Sequence, residues 1–274
     1  IFEQRRELGG GACTEARPLP GFRGNPCAHV GGLWASPSVQ DFKLYEKGLR
    51  FVFPDVHGSM VFPDGKCIVS YQGVIYDYET GAVLPNMESI QRTLKEVERI
   101  SPRDADFLSE ISQVKAWQWG FAASAVIWNP PVIPSEGEID PVEALLNDPN
   151  SGIDRRYQYM TNVEIVRDLF DSPYLQAHSL RMMGSAGQYP DQIPWLPIFL
   201  ANIPWQILGL GGNVYSGGTH NVAHAFQRAL SEEGGKFWVG ADVEQVQMEN
   251  GRAKGIMLSG GTEIEARQMV VTTA

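Results

Sequence analysis

The spacing of apolar residues predicts alternating strands and helices at both ends of the chain and mostly helices between them. Residues 1–3 have the pattern of the end of a strand, and a glycine turn follows at Gly9, Gly10 and Gly11. Between residues 90 and 100, apolar side chains recur every three or four positions, which predicts an amphipathic helix capped by Ser89. The same periodicity predicts helices over residues 107–117 and 163–170.

The segment after residue 218 returns to alternating helices and strands. Thr219 is predicted to cap a helix over residues 220–233, which Gly234 ends. Residues 236–248 are strand-like, and Asn250-Gly251 favours a two-residue hairpin turn into a second strand. The other predicted elements are a short helix over residues 40–49, a hairpin joining residues 61–62 to residues 67–69, and a last strand over residues 269–271.

The two ends of the chain therefore share one structural class, whereas the middle differs. This order predicts an α/β fold in which a nucleotide-binding domain is built from both ends. We place its two parts at residues 1–60 and 206–274. An inserted α+β substrate domain, mostly helical, would occupy residues 61–205.

Composition narrows the classes of function. The 274 residues carry 22 Lys and Arg against 32 Asp and Glu, a formal net charge of −10. An acidic chain repels phosphate backbones, so nucleic-acid binding is not expected. The three cysteines are odd in number and lack CxxC spacing, which indicates neither a disulfide framework nor a zinc knuckle. The sequence thus predicts a reducing, cytoplasmic environment.

Residues 192–227 contain no charged side chain. Three prolines between residues 194 and 204 argue against a single membrane-spanning helix, because each costs about 3 kcal/mol in a helix interior. Three interpretations stay open: plain core, the lining of an apolar substrate cavity that includes Leu196 and Leu200, or a surface in peripheral contact with a membrane.

The candidate chemistry begins at Glu3. A carboxylate at the end of the second strand of a dinucleotide fold accepts hydrogen bonds from ribose hydroxyls. Glycines six and seven residues later, Gly9 and Gly10, would let the backbone pass close to phosphates. In isolation, a Glu before a polar turn usually faces solvent.

The pattern Glu3-x-Arg5-x-x-x-Gly9-Gly10, followed by Gly11-Ala12-Cys13-Thr14, resembles FAD-dependent oxidoreductases of the phytoene dehydrogenase and amine oxidase type. In that family this segment follows the second strand, and the phytoene-dehydrogenase-related branch is the more similar one. The order and spacing agree over essentially the whole chain, at residues 20–22, 170–173, 217–225, 234–235, 243–246, 250–255 and 270–271.

The resemblance implies a partial, three-layer, Rossmann-like FAD-binding domain and FAD as the cofactor. Glu3 would bind the adenosine ribose, and Val243 would present its main chain to the adenine. Arg5 and the turn formed by Gly9, Gly10 and Gly11 would lie near the ribose and pyrophosphate.

The resemblance also implies a substrate side. It places His29 beside the substrate or the flavin, where His29 could polarise the substrate or relay a proton; a buried histidine bonded to backbone is the alternative. Trp34 and His220 are further candidates for the lining of the substrate cavity, together with Leu196 and Leu200 of the uncharged segment. His220 and His224 have the i, i+4 spacing of metal ligands, yet no metal is expected, because we expect no acidic residue or third histidine near them and the family that the chain resembles uses no metal.

The chain lacks the GxGxxG fingerprint. The resemblance implies that this motif would precede Ile1 and that a flavin-contacting segment would follow Ala274. We therefore expect the missing ends, or a partner chain, to complete the FAD site, and we expect the chain alone to bind FAD weakly.

The function predicted is FAD-dependent removal of hydride, by dehydrogenation or desaturation, from an organic, apolar, isoprenoid-like small molecule. Two alternatives remain. One is an amine-oxidising flavoenzyme. The other is a non-catalytic binding protein on the same fold, similar to escort proteins and GDP-dissociation inhibitors.

Overall fold

The computed structural model describes residues 1–16, 19–28, 31–128, 138–185 and 187–273. The chain forms two compact units. Unit 1 comprises Ile1–His29, Ser38–Phe51 and Tyr215–Ala274, and unit 2 comprises Val30–Pro37 and Val52–Val214. Both ends of the chain thus fall in unit 1, while the functional division at residues 60 and 205 stays a prediction.

Short strands and helices alternate along the described residues. The strands are β1 (Phe2–Glu3), β2 (Phe51–Val52), β3 (Val56–Val61), β4 (Cys67–Tyr71), β5 (Val74–Tyr76), β6 (Val83–Pro85), β7 (Val214–Tyr215), β8 (Trp238–Val239), β9 (Val243–Glu249), β10 (Arg252–Leu258) and β11 (Glu263–Glu265). The α-helices are α1 (Pro37–Asp41), α2 (Met87–Glu98), α3 (Pro102–Glu110), α4 (Ala116–Ile127), α5 (Pro141–Asn147), α6 (Asn162–Leu169), α7 (Pro173–Ser185), α8 (Leu196–Asn202) and α9 (His220–Glu232).

Unit 1 contains a parallel strand pair formed by opposite ends of the sequence. Phe2 of β1 pairs with Trp238 of β8, and Glu3 pairs with Val239. The rings of Phe2 and Trp238 stack across the pair with centroids 4.9 Å apart. Helix α9 precedes β8, so the unit has the α/β character predicted from the sequence.

The rest of unit 1 includes an antiparallel sheet in the order β11-β10-β9. Asn250 and Gly251 join β9 to β10, with φ of +50° and +77°. Positive φ at both positions is what a type I′ turn requires, so the predicted hairpin is confirmed. Gly240, with φ of +65°, lies between β8 and β9, where the sequence pattern predicts one continuous strand.

Unit 2 combines two hairpins, β3–β4 and β5–β6, with helices α2 to α8. Its helices bury their apolar faces, because α2 contributes Ile90, Leu94 and Val97 to the core and α6 contributes Ile165 and Val166. The predicted hairpin at residues 61–69 and the helices at α2 and α6 are confirmed.

The predicted cap of α2 is wrong. Asn86, not Ser89, is the N-cap, since Asn86 Oδ1 accepts a hydrogen bond from the backbone N–H of Ser89 at 3.2 Å. Asparagine is also a favoured N-cap residue, and apolar periodicity does not locate the first turn to within three positions.

Two predicted elements are also wrong. Helix α1 ends at Asp41 rather than continuing to residue 49, because Lys43 and Gly48 adopt φ of +49° and +91° and the chain turns there. Residues 269–271 form no strand. Met269 and Val271 are 71% and 76% exposed, so a run of apolar residues does not by itself form a strand here.

None of the helices in the described residues has an apolar run long enough to span a bilayer.

Candidate cofactor site

Glu3 lies at the carboxyl end of β1, beside the carboxyl end of its parallel partner β8. The backbone carbonyl of Glu3 accepts a hydrogen bond from the N–H of Ala241 at 2.9 Å. The chain after β8 is therefore bonded to the end of β1, and Val243 begins β9 two residues beyond that bond. Ligands of open α/β sheets bind at the carboxyl edge of the parallel strands.

The Glu3 carboxylate uses only part of its hydrogen-bonding capacity within the protein. Its Oε1 accepts a hydrogen bond from the backbone N–H of Arg5 at 2.7 Å, which braces the turn after β1. Within the described part of the chain this is the one hydrogen bond to the carboxylate. An ionised carboxylate has about four acceptor positions, so it retains the capacity to accept from a ribose hydroxyl.

Arg5 places a positive charge over the glycine turn. Its Nη1 donates to the carbonyl oxygen of Gly10 at 3.0 Å, and its Nη2 lies 3.8 Å from Glu15 Oε1. The side chain is 54% exposed, so the guanidinium is held near the turn while it stays accessible to a ligand.

The three glycines of the turn have different surroundings, so the structure needs a glycine at each position for a different reason. Gly9 has φ of +119°, and a Cβ there would lie 2.7 Å from the Cβ of Ala223 in α9. Gly9 is therefore required by packing inside unit 1. Gly10 has φ of +54°, but a Cβ there would meet nothing within 4 Å, and one at Gly11 would meet only the Cys27 side chain. The backbone at Gly10 is thus open to an approaching ligand.

The N-terminus of α9 is held by side chains from the early loop. Thr14 Oγ1 accepts from the His220 N–H at 3.2 Å and donates to Asn25 Oδ1 at 2.8 Å. Asn25 Oδ1 also accepts from the Thr219 N–H at 3.2 Å. Gly218 permits this contact, since a Cβ there would lie 2.2 Å from Thr14 Oγ1.

This network corrects the predicted cap of α9. Thr219 occupies the N-cap position, but its hydroxyl donates to the Cys13 carbonyl at 3.0 Å and accepts no hydrogen bond from the helix. Thr14 and Asn25 bond the helix N–H groups instead. They lie about 200 residues away in sequence, so no local pattern could have identified them.

His220 and His224 lie one turn apart on α9 and face the same carboxylate. Glu7 Oε1 is 3.3 Å from His220 Nδ1 and 2.9 Å from His224 Nε2. The expectation that no acidic residue lies near these histidines is therefore wrong. Glu7 stands more than 200 positions before them, and only the fold brings the three together. The substrate-lining role of His220 stays a prediction.

The substrate-side candidates Trp34, Leu196 and Leu200 belong to unit 2. Trp34 lies in the 3₁₀ turn Leu33–Ala35, where its Nε1 donates to the Gly211 carbonyl at 3.3 Å. Its ring makes edge contacts with Phe53 and Tyr76, each with centroids 6.3 Å apart. Burial raises the pKa of Tyr76 to about 12, so its phenol stays neutral at physiological pH.

Leu196 and Leu200 lie in α8 and are 7% and 2% exposed. Both belong to the hydrophobic core of unit 2, which favours the first of the three interpretations of the uncharged segment. Whether they also meet a substrate stays a prediction. His29, the candidate catalytic residue, lies outside the described residues.

The sequence is similar to those of known dehydrogenases and desaturases, although no family model matches it. It is 24% identical over the whole chain to a subunit of the limonene dehydrogenase of Castellaniella defragrans, covering 47% of that protein. It is 36% identical over 70 residues, 26% of the chain and 14% of the relative, to a zeta-carotene-forming phytoene desaturase of Myxococcus xanthus. A 4,4'-diapophytoene desaturase of a Methylomonas species is 27% identical over 85 residues, 31% of the chain and 17% of that protein.

Solved structures share the fold. An oxidoreductase from Methanosarcina mazei superposes with a TM-score of 0.51 at 16% identity, over 97% of this chain and 51% of that one. A putrescine oxidase variant superposes with a TM-score of 0.50 at 14% identity, over 98% and 51%. The chain thus spans about half the length, or less, of the proteins it matches. These similarities confirm the α/β oxidoreductase fold and the resemblance to phytoene dehydrogenases and amine oxidases.

Proposed function

We propose that this chain is the part of an FAD-dependent oxidoreductase that holds the adenosine end of the cofactor and contributes to the site of an organic, apolar substrate. One observation carries the proposal: Glu3 ends β1 at the carboxyl edge of the β1–β8 pair, and the Arg5 guanidinium bonds the adjoining glycine turn at the Gly10 carbonyl. When bound, FAD would accept a hydride from the substrate.

Each of these residues fits one portion of the cofactor. The Glu3 carboxylate retains acceptor capacity for the adenosine ribose, and the main chain at Val243 would face the adenine edge. Arg5, together with the open backbone at Gly10 and Gly11, suits the negatively charged pyrophosphate. The remainder of the FAD site would come from protein outside these 274 residues, in the same polypeptide or in a partner chain. The limonene dehydrogenase relative is named as one subunit of an enzyme, which supports the second arrangement.

An apolar substrate agrees with the chemistry of unit 2. Its Trp34, Phe53 and Tyr76 rings form an aromatic cluster next to an uncharged stretch of chain. We propose an isoprenoid-like hydrocarbon as the substrate class, because the sequence relatives are named for limonene and for carotenoid precursors. Desaturating such a molecule would transfer one hydride to the flavin and release one proton from the adjacent carbon, for which His29 is the proposed acceptor. The other requirements are positioning of the substrate and exclusion of water. Peripheral membrane contact and a proton-relaying His29 remain parts of the proposal.

The amine-oxidising alternative rests on the shared fold of putrescine oxidase. A cationic amine would need a carboxylate partner in a dry site. Among the described residues of unit 2, Asp104 is a buried carboxylate, and both of its oxygens accept backbone N–H groups, from Asp171 and Ser172, at 2.9 Å. Asp104 therefore supports the backbone just before α7, and the apolar substrate is favoured instead by the names of the sequence relatives.

The test uses the intact protein that contains this chain, loaded with FAD and kept anaerobic. We expect an isoprenoid hydrocarbon to bleach the flavin absorption and a diamine to leave it unchanged. Bleaching by the diamine alone would support the amine-oxidising alternative. Bound flavin that neither compound reduces, or a protein that binds no flavin but retains a prenylated ligand, would support a non-catalytic binding protein instead.

A further inference from the structure

We propose that Glu7, His220 and His224 in unit 1 form a binding site for a divalent transition-metal ion, with Zn²⁺ as the ion to test first. Two imidazoles and one carboxylate are a common protein ligand set for Zn²⁺, with a water in the fourth position. This site is distinct from the proposed contacts to FAD and does not depend on the redox function.

The distances between the three ligand atoms suit a metal. Glu7 Oε1 lies 3.3 Å from His220 Nδ1 and 2.9 Å from His224 Nε2, and all three atoms lie within 4.8 Å of one another. A tetrahedral Zn²⁺ with ligands at about 2.0–2.1 Å separates neighbouring ligand atoms by roughly 3.4 Å. The cluster therefore needs only small side-chain movements to enclose an ion.

The fold holds the ligands in place without a metal. His220 and His224 lie one turn apart on α9, with ring centroids 4.8 Å apart and planes tilted by 30°. Gly9 packs against Ala223, which lies between the two histidines on that helix, and so brings the loop that carries Glu7 to the same face. Thr14 and Asn25 fix the start of the helix. Pre-positioned ligands lower the entropic cost of binding an ion.

The site is accessible from solvent. The side chains of Glu7, His220 and His224 are 42%, 17% and 33% exposed, so an ion and its water could enter. Imidazole nitrogen with carboxylate oxygen suits Zn²⁺ and its neighbours in the first transition row, rather than Ca²⁺ or Mg²⁺. A bound ion would link the loop after β1 to α9 and so brace the glycine turn in addition to the contact from Arg5.

The experiment titrates Zn²⁺ into the purified intact protein that contains this chain, without a histidine tag, by calorimetry, and repeats the titration with Co²⁺ by absorption spectroscopy. We expect one equivalent to bind, with the intense visible bands of four-coordinate Co²⁺ and a higher melting temperature. Loss of an outer partner typically weakens metal binding about 10–100-fold, so Glu7→Gln and His224→Gln, which remove ligands, should each lose at least that much. His57→Gln, which removes an imidazole from unit 2, should bind Zn²⁺ as the unmodified chain does.

Two results would overturn the proposal. One is an unmodified chain that binds no Zn²⁺, which would mean that the three side chains form only a hydrogen-bonded carboxylate–imidazole cluster. The other is binding that Glu7→Gln leaves unchanged. Glu7 is partly exposed and lies in a loop, so this variant should fold even if the histidine variant does not, which circular dichroism would show.

Discussion

The two units of this protein are stabilised in different ways. In the described residues, the main hydrophobic core runs from Phe62 to Leu210 and lies wholly within unit 2. Unit 1 buries far fewer apolar side chains: Val39, Leu44, Leu49, Phe51 and Ala225. It depends instead on close glycine contacts and on polar side chains such as Thr14 and Asn25 that bond the backbone of α9.

This difference follows the work that each unit is proposed to do. A polar dinucleotide needs carboxylate, guanidinium and exposed backbone, none of which adds to a core. An apolar substrate is bound by apolar side chains, and apolar side chains also form a hydrophobic core. Burial should therefore dominate the stability of unit 2, and backbone conformation that of unit 1.

The largest effect is expected in the core of unit 2. Leu200→Ala should lower the free energy of unfolding by about 2–5 kcal/mol, because it leaves a cavity at a side chain that is 2% exposed. Leu84→Ala, at a leucine that is 54% exposed, is the matched control and should change stability by no more than about 0.5 kcal/mol. Denaturant unfolding measures both. A small loss for Leu200→Ala, with a raised KM for an apolar substrate, would identify Leu200 as a substrate contact rather than core.

A pH-dependent effect of similar size is expected from His178 in α7. Burial lowers its pKa from 6.5 to about 4, with smaller contributions from the charges of Arg181 and His57. Between about pH 6.5 and pH 4, His178 is protonated in the unfolded chain but neutral in the folded chain. Stability therefore falls as the pH drops through that range. At about 1.4 kcal/mol per pKa unit, the loss reaches roughly 3 kcal/mol.

The variant His178→Gln isolates this contribution. It should reduce the difference in unfolding free energy between about pH 7 and pH 4.5, whereas His57→Gln should retain most of that difference, because burial is the main cause. Carboxylates that titrate in the same range affect all three proteins alike. Equal pH dependence in all three would show that His178 takes up its proton without unfolding.

The third prediction concerns the backbone of unit 1. Gly9→Ala should cost about 1–3 kcal/mol, because an alanine at φ of +119° is strained and its Cβ would lie 2.7 Å from that of Ala223. Gly10→Ala shares the positive φ but has open space, so it should cost only about 1 kcal/mol. Gly9→Ala should cost less in the Ala223→Gly background than in the unmodified protein, which is the comparison that allows for the cost of a glycine in α9 itself. An equal cost in both backgrounds would mean that the contact with α9 does not explain Gly9.

Much of the fold could be predicted because its signals are local. The Asn250-Gly251 turn requires only two residues with positive φ, and α6 is marked by apolar spacing within one segment. The predictions at residues 40–49 and 269–271 were wrong because the structure there depends on contacts between residues that are distant in sequence. Leu44 and Leu49 are buried by tertiary contacts around a turn, and the last apolar run has no strand partner among the described residues.

In the candidate site too, residues close in sequence could be predicted and contacts between distant residues could not. Glu3, Arg5, Gly9 and Gly10 stand within eight residues, so their spacing could be compared with a family pattern. The meeting of Glu7 with His220 and His224 could not be predicted, because more than 200 residues of chain separate them. The i, i+4 spacing of the histidines was the one available signal, and it says nothing about a third ligand.

The cofactor site at Glu3 is tested most directly by the affinity of the intact protein for FAD when this residue is changed. Glu3→Gln keeps an acceptor for the Arg5 N–H but removes the charge offered to the ribose. We predict that Glu3→Gln loses about 1.5–3 kcal/mol of binding free energy, which is roughly a 10- to 150-fold larger dissociation constant for FAD. Glu244→Gln in β9 should leave the affinity for FAD unchanged. Equal FAD affinity in Glu3→Gln and the unmodified protein, with both folded, would contradict the assignment of the cofactor site to this edge of unit 1.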